Sequence, residues 1–124
     1  MGATARISDA EWEVMNVIWN RSPITANEVV EALAKRTEWS PKTIKTMLNR
    51  LVGKGALAYE AQGKTYLYRP KVSKNACVRE ESRSFMARVF DGDPTPMLAH
   101  LVKNTRLSPD DIKQLRQILE DKEK

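Results

Sequence analysis

Apolar residues recur at spacings of three and four along much of this 124-residue chain, which is the period of a helix that buries one face. In the first such stretch they are Trp12, Met15, Ile18 and Trp19. Ser8 and Glu11 precede this stretch with the spacing of a capping box, in which each side chain accepts from the backbone N–H of the other residue. The pattern predicts a first helix that runs to about Asn20.

A second helix is predicted beyond the break at Pro23. Thr25 and Glu28 form another capping box, and the helix that they open reaches about Arg36. Its buried face is predicted to consist of Val29, Val30 and Leu33.

The third helix is predicted to begin at Ser40 and Pro41, because proline is tolerated at the first helical position. It runs to about Lys54, since Gly55 can adopt the left-handed conformation that stops a helix. At about 100° per residue, one side is apolar and carries Ile44, Met47, Leu48 and Leu51. A separate stripe, called here the polar stripe, carries Lys42, Thr43, Thr46, Asn49 and Arg50.

Two short aromatic-containing runs, residues 57–60 and 65–69, then flank Gln62-Gly63-Lys64. This arrangement is typical of a β-hairpin, and Pro70 ends it. Three helices followed by a hairpin predict a winged helix-turn-helix domain over residues 1–71.

Residues 72–124 are predicted to form three more helices. Glycine and prolines break the pattern at residues 92–96, a short helix follows over about Met97 to Lys103, and Ser108 caps the last one. Because 53 residues are too few to bury three apolar stripes well, we expect a dimerisation domain; folding back on the winged domain is the alternative. The predicted fold class is therefore mainly α-helical, with a small β-hairpin wing.

The net charge of +5 is unevenly distributed. Residues 40–71 carry seven basic side chains against Glu60 alone, whereas the segments before and after them carry net charges of −2 and +1. Such a concentration is expected where a protein binds a polyanion. A solvated basic face is the alternative, so charge alone does not decide.

The polar stripe contains the residue types that read DNA. Arg50 can bind guanine and Asn49 adenine through paired hydrogen bonds, and the methyl groups of Thr43 and Thr46 can touch thymine methyls. Lys42 is placed to meet a phosphate at the helix start. Lys64, at the hairpin tip, is placed to reach a phosphate or the minor groove; an ordinary turn lysine is the alternative.

Other kinds of chemistry find little support. With one cysteine, Cys77, and one histidine, His100, we expect no metal site, no cofactor and no catalytic activity. Cys77 is best interpreted as a small buried apolar residue. The chain has neither a long apolar run nor a signal peptide pattern, so a cytoplasmic location is expected.

Two segments, residues 8–19 and 39–46, resemble the BlaI/MecI/CopY family of penicillinase and methicillin-resistance repressors. The resemblance extends through the hairpin and, more weakly, over the C-terminal helices. It implies a homodimer that represses transcription from a palindromic operator, with the third helix of each subunit in the major groove. The DNA-contacting positions that it implies are Ser40, Lys42, Thr43, Thr46 and Arg50.

The resemblance also implies a release mechanism. In the β-lactam branch of the family, a sensor-protease system leads to cleavage at an Asn-Phe bond in the dimerisation region. The matching bond here is His100–Leu101, with different residues on both sides. The copper-responsive branch carries paired Cys-x-Cys motifs, which this chain lacks.

Two other functions remain open on the residues alone. One is a winged-helix protein-interaction module whose basic face binds an acidic protein partner, since this fold does not by itself prove DNA binding. The other is an architectural DNA binder, whose affinity would follow salt concentration but not base sequence.

Overall fold

The computed structural model of the chain describes residues 6–124. It contains two compact units, which divide after Glu80. Residues 1–5 of the predicted N-terminal domain lie outside the described residues. The domain boundary expected between residues 71 and 72 stays a prediction, since compactness alone does not define what folds independently.

The first unit contains three helices and a three-stranded antiparallel sheet, and it includes the start of a fourth helix. The elements are α1 (Asp9–Asn20), β1 (Ile24–Thr25), α2 (Ala26–Ala34), α3 (Pro41–Gly53), β2 (Leu57–Gln62), β3 (Thr65–Pro70) and α4 (Lys74–Phe90). The predicted winged helix-turn-helix is confirmed, with a mainly helical chain and a small wing.

The predicted caps are present. Ser8 and Glu11 bond reciprocally at the start of α1, and Thr25 and Glu28 do so at the start of α2. Ser40 accepts from the backbone N–H of the third residue of α3, which has proline at its first position. These caps satisfy N–H groups that have no partner inside a helix, so local sequence indicates where α1, α2 and α3 begin.

The sheet has one strand more than predicted. β1 consists of two residues and pairs with β3, opposite Leu67 and Tyr68, so the strand order is β1-β3-β2. The predicted hairpin pairs β2 with β3, and Gly63 takes a φ of +63° between them. A glycine at the first loop position suits a two-residue hairpin turn, and this turn places Lys64 at the tip.

One apolar core joins the helices to the sheet. Ile18 of α1, Leu33 of α2, Leu51 of α3 and Leu57 of β2 are each no more than 1% exposed. Cys77, at the start of α4, is 3% exposed and belongs to the same core. The winged unit therefore extends into α4, beyond the end of its hairpin.

The second unit contains the rest of α4 together with α5 (Pro94–Asn104) and α6 (Pro109–Glu123). The break predicted over residues 92–96 is wrong in part, because Pro94, Thr95 and Pro96 form the first turn of α5 with Asp93 as its N-cap. Proline is compatible with a first turn, where no intrahelical N–H bond is needed. Ser108 caps α6 as predicted.

Large apolar side chains of this unit lie at the surface. Nine large apolar side chains within residues 81–124 are at least 38% exposed. They are Phe85, Val89, Leu98, Leu101, Val102, Ile112, Leu115, Ile118 and Leu119. A single copy of the chain leaves the stripes of α5 and α6 largely in solvent, which is costly for so many apolar residues.

A buried ion pair fixes the end of α3 against the start of α1. Glu11 is 2% exposed, and its Oε1 accepts from Lys54 Nζ at 2.5 Å and from the Ser8 backbone N–H at 2.9 Å. Burial raises the pKa of Glu11, but the hydrogen bonds from Lys54 and Ser8 and the charge of Lys54 outweigh it, so this pKa lies below the ordinary 4.5.

Lys54→Met is expected to lower the free energy of unfolding at pH 7 by about 1–3 kcal/mol, because it leaves the Glu11 carboxylate buried without its charged donor. Urea titrations of wild type and variant measure this difference. The stability that Glu11 contributes in the wild type is present above its unfolded pKa and is lost as pH falls through the lower folded pKa.

The pH dependence provides the second test of this ion pair. Without Lys54, burial is expected to raise the pKa of Glu11. Protonation of Glu11 should then remove the cost of a buried charge in the variant, whereas in the wild type it breaks the ion pair and lowers stability. The two unfolding free energies should therefore converge below about pH 4.5. Lys35→Met, at an exposed position, is the control; a Lys54→Met effect no larger than that of this control would contradict the assigned role.

Candidate nucleic-acid interface

Helix α3 divides into two faces as its periodicity predicts. Ile44, Leu48 and Leu51 are fully buried and Met47 is 5% exposed. The polar stripe lies on the exposed side, where all five of its residues are exposed. Packing of the apolar side therefore holds the predicted contact residues toward solvent, while their role in binding stays a prediction.

The first turn of α3 is held by two hydroxyl groups. Ser40 Oγ accepts from the Thr43 backbone N–H at 3.2 Å and lies 3.1 Å from Thr43 Oγ1. Both side chains are exposed. The N-terminal end of the helix thus presents ordered polar groups together with the positive end of the helix dipole.

Thr46 occupies the middle of the polar stripe. Its Oγ1 donates to the Lys42 carbonyl oxygen one turn earlier, at 2.9 Å. Because the hydroxyl proton is used within the helix, the methyl group and the oxygen lone pairs remain for an outside partner. This state suits contact with a thymine methyl better than hydrogen-bond donation.

A groove of about 340 Å³ lies between α3, the start of α2 and the hairpin. It brings together Asn49 of the polar stripe and Lys64 of the hairpin tip. The same groove is lined by Asn27, Lys45 and Tyr66, which the sequence interpretation did not include among the binding residues. Lys45 lies beside Asn49 on the helix circumference, so a wider stripe would have found it; no local signal points to Asn27.

Three tyrosines pack against one another across the two strands of the wing. The ring centroids of Tyr59 and Tyr66 lie 4.6 Å apart and those of Tyr59 and Tyr68 lie 6.0 Å apart. Tyr68 is buried, and burial together with its two tyrosine neighbours raises the pKa of its hydroxyl. The three rings thus form cross-strand pairs of the hairpin, and Tyr66 and Tyr68 also line the groove.

The basic segment keeps most of its charge free for a ligand. Among the described residues, the ion pairs join Arg21 to Glu28, Arg36 to Glu13 and Lys54 to Glu11. Of the seven basic side chains in residues 40–71, six therefore lie outside the described ion pairs, and all six are exposed. They are Lys42, Lys45, Arg50, Lys64, Arg69 and Lys71. Their positive field remains available to a polyanion.

The predicted cleavage pair belongs to the second unit. His100 and Leu101 are exposed residues within α5. The His100 carbonyl oxygen accepts from Asn104 Nδ2 at 2.8 Å. The expected cleavage bond therefore lies within a regular helix.

Residues 6–124 contain no group of three or more His, Cys, Asp or Glu side chains that could hold a metal ion, and none of their helices has the length and apolar character of a membrane span. Burial, with a smaller contribution from the charge of Glu80, raises the pKa of the Cys77 thiol. A thiol in that state is a poor nucleophile.

The chain is similar to several known proteins. The chain is 44% identical to a penicillinase repressor from Bacillus licheniformis, over 94% of this chain and 91% of that protein. It is 36% identical to the methicillin resistance regulatory protein MecI from Staphylococcus aureus, over 96% and 97%. The monomeric form of Bacillus licheniformis BlaI, solved with the blaP half-operator, matches 60% of this chain and 92% of its own at 49% identity and a TM-score of 0.54.

The family model described as penicillinase repressor matches residues 7–121, which is nearly the whole chain. The residues that suggested this resemblance, at the start of α1 and α3, lie within the matched range. The chain belongs to the penicillinase repressor family.

Proposed function

We propose that this protein is a transcriptional repressor that binds a palindromic operator as a homodimer, with α3 of each subunit in the major groove. The observation that carries the proposal is the exposed polar stripe of α3, which continues into the groove beneath the wing. The winged-helix fold alone would not support this function. The support comes from the exposed polar side chains of α3 and their position beside the wing. A repressor of this kind acts in the cytoplasm.

The binding residues divide into two groups. Asn49, Arg50 and Thr46 are assigned to base edges, because their side chains distinguish adenine, guanine and thymine. Lys42, Lys45 and Lys64 are assigned to phosphates, because a compact ammonium binds an anion without reading the base. The groove places Lys45 and Lys64 on its two sides, so that one DNA strand would pass between α3 and the wing.

The relatives support the same function. BlaI from Bacillus licheniformis binds the blaP half-operator in its monomeric form. Its chain is 49% identical to this one over the matched part, which is 60% of this chain. By that similarity, each subunit of the present protein would contact one half of its operator.

The exposed apolar side chains of α5 and α6 support dimerisation. Ile118 and Leu119 of α6 are 57% and 61% exposed, and Leu98 and Val102 of α5 are 50% and 52% exposed. A second copy of the same unit has the same stripes and can bury them in a symmetric interface. The second unit is therefore assigned to dimerisation.

Release from DNA is proposed to follow cleavage between His100 and Leu101 by a regulatory protease. The position matches the family's cleavage region, and both residues are exposed on α5. Their side chains differ from the Asn-Phe pair of the β-lactam branch, so a protease with another preference is required. Incubation of the dimer with its regulator, followed by mass spectrometry of the fragments, would identify the bond.

The function is tested by selecting duplexes from a random library with the full-length protein. The best selected duplex and a scrambled control are then titrated at several salt concentrations. Preference for the selected sequence is expected at every salt concentration. Equal affinities would instead indicate an architectural binder, and no binding at low salt would favour a module that recognises an acidic protein.

Two alanine variants separate base recognition from phosphate binding. Arg50→Ala is expected to lower affinity for the selected duplex by about 1–3 kcal/mol and to relax its sequence preference. Lys64→Ala should weaken binding to both duplexes alike and reduce the slope of log affinity against log salt by about 1. An Arg50→Ala variant that keeps full discrimination would contradict the assigned role of Arg50.

Ser40 allows the helix cap to be separated from the DNA contact. Ser40→Ala should lower the free energy of unfolding by about 1 kcal/mol through loss of the cap. Ser40→Asp keeps a good cap and should remain as stable as the wild type, yet its carboxylate would repel phosphates and weaken all duplex binding. Urea titration and duplex titration measure the two effects; unchanged affinity in Ser40→Asp would place this end of α3 away from DNA.

A shortened chain tests the division of labour. It should end at Glu80, because a chain that stops at Pro70 loses the buried Cys77. Residues 1–80 are expected to be monomeric, to bind a half-site as the full chain does, and to bind the palindrome far more weakly, since linked half-sites gain effective concentration. Sedimentation and duplex titration give both results; a shortened chain that remains dimeric would refute the assignment.

A further inference from the structure

The segment that leaves the wing is attached to the winged unit at three successive points. The Lys71 backbone N–H donates to the Ala56 carbonyl oxygen at 2.8 Å. The Val72 carbonyl oxygen accepts from Trp19 Nε1 at 3.0 Å, across 53 residues of sequence. Cys77 is then buried in the core. The path of the chain from β3 into α4 is therefore fixed by contacts with α1, with Ala56 just before β2, and with the core.

Trp19 makes the side-chain contact in this attachment. Its indole is half-buried, lies 5.5 Å from the ring of Trp12 and packs against the core. The carbonyl that it binds, that of Val72, lies just before α4, where no helical N–H is available to it. A half-buried carbonyl without this donor would need water, and its position would be less restricted.

Helix α4 begins immediately after this contact. Ser73 Oγ accepts from the Ala76 backbone N–H at 3.0 Å, which defines the first turn. The helix then continues without interruption to Phe90. The Val72–Trp19 contact thus acts together with the burial of Cys77 to orient the first turns of α4 on the winged unit.

We infer that Trp19 is a positioning residue that sets the spacing between operator half-sites that the dimer accepts. The inference rests on the proposed function. A dimer recognises half-site spacing only when its two recognition helices are held at a defined separation. A looser exit from the winged unit would lower the effective concentration of the second half-site at the correct spacing, without changing the contacts of either recognition helix.

The test compares full-length Trp19→Phe with Trp12→Phe. Each variant replaces an indole of the same aromatic pair by a smaller ring, but only Trp19 donates a hydrogen bond to another described residue. The probes are a duplex with one selected half-site and a series of inverted repeats of it, with spacers varied by single base pairs. Sedimentation and thermal unfolding confirm that each variant is a folded dimer.

Trp19→Phe is expected to bind the half-site as the wild type does. It should bind the best-spaced repeat about threefold to tenfold more weakly, which is a fraction of the roughly 10²-fold to 10⁴-fold gain that linkage of two sites can give. Its preference among spacers should flatten, while Trp12→Phe keeps the wild-type profile. An unchanged spacer profile in Trp19→Phe would overturn the inference, as would an equal loss on the half-site or the same change in Trp12→Phe.

Failure of the proposed function would give a different result. A wild-type protein that binds every repeat no better than the half-site would refute dimeric operator binding itself, and with it a role for Trp19 in spacing. A wild-type protein with a clear optimum, together with an unchanged Trp19→Phe variant, would refute the inference alone.

Discussion

The burial of one side of α3 is the constraint on which the rest of the winged unit depends. Ile44, Leu48 and Leu51 are completely enclosed, so the helix cannot rotate about its axis without exposing them at a cost of about 1.5–3 kcal/mol each. The same packing directs the polar stripe outward. On the proposed function, stability and recognition are therefore assigned to opposite sides of one helix.

Both ends of α3 are fixed by polar contacts of different kinds. At the start, Ser40 accepts a backbone hydrogen bond and leaves the helix end exposed. At the end, Lys54 is joined to the buried carboxylate of Glu11. Lys54 thus acts within the fold, although it belongs to the basic segment. The charge that is available to a ligand comes from side chains on the polar stripe, beside it and on the wing.

Those elements that depend on local pattern could be predicted from the sequence. The buried and exposed sides of α3 follow from spacing within ten residues, and the caps of α1, α2, α3 and α6 each follow from four consecutive residues. β1 could not be predicted, since two residues form a strand only because β3, more than 40 residues later, lies beside them. The start of α5 was missed for a different reason: prolines that usually break a helix can also open one.

The candidate site shows the same division. The polar stripe and the hairpin lysine are local features, and the sequence predicts them. The groove requires α2, α3 and the wing to approach one another, so the participation of Asn27 and Tyr66 becomes visible only in three dimensions. Lys45 is an intermediate case. It is adjacent to the polar stripe on α3, so its position is a local feature, but the predicted stripe does not include it.

The end of the winged unit is likewise determined by packing rather than by composition. Pro70 marks the end of the hairpin, but the core of the winged unit continues to Cys77 in α4. Cleavage after His100 would leave that core and all of α4 intact. It would remove Leu101, Val102 and the apolar residues of α6, which include Ile118 and Leu119, the two most exposed large apolar side chains of the second unit. On the proposed function, proteolysis would therefore abolish repression by weakening the dimer, while each winged unit stays folded and able to bind a half-site.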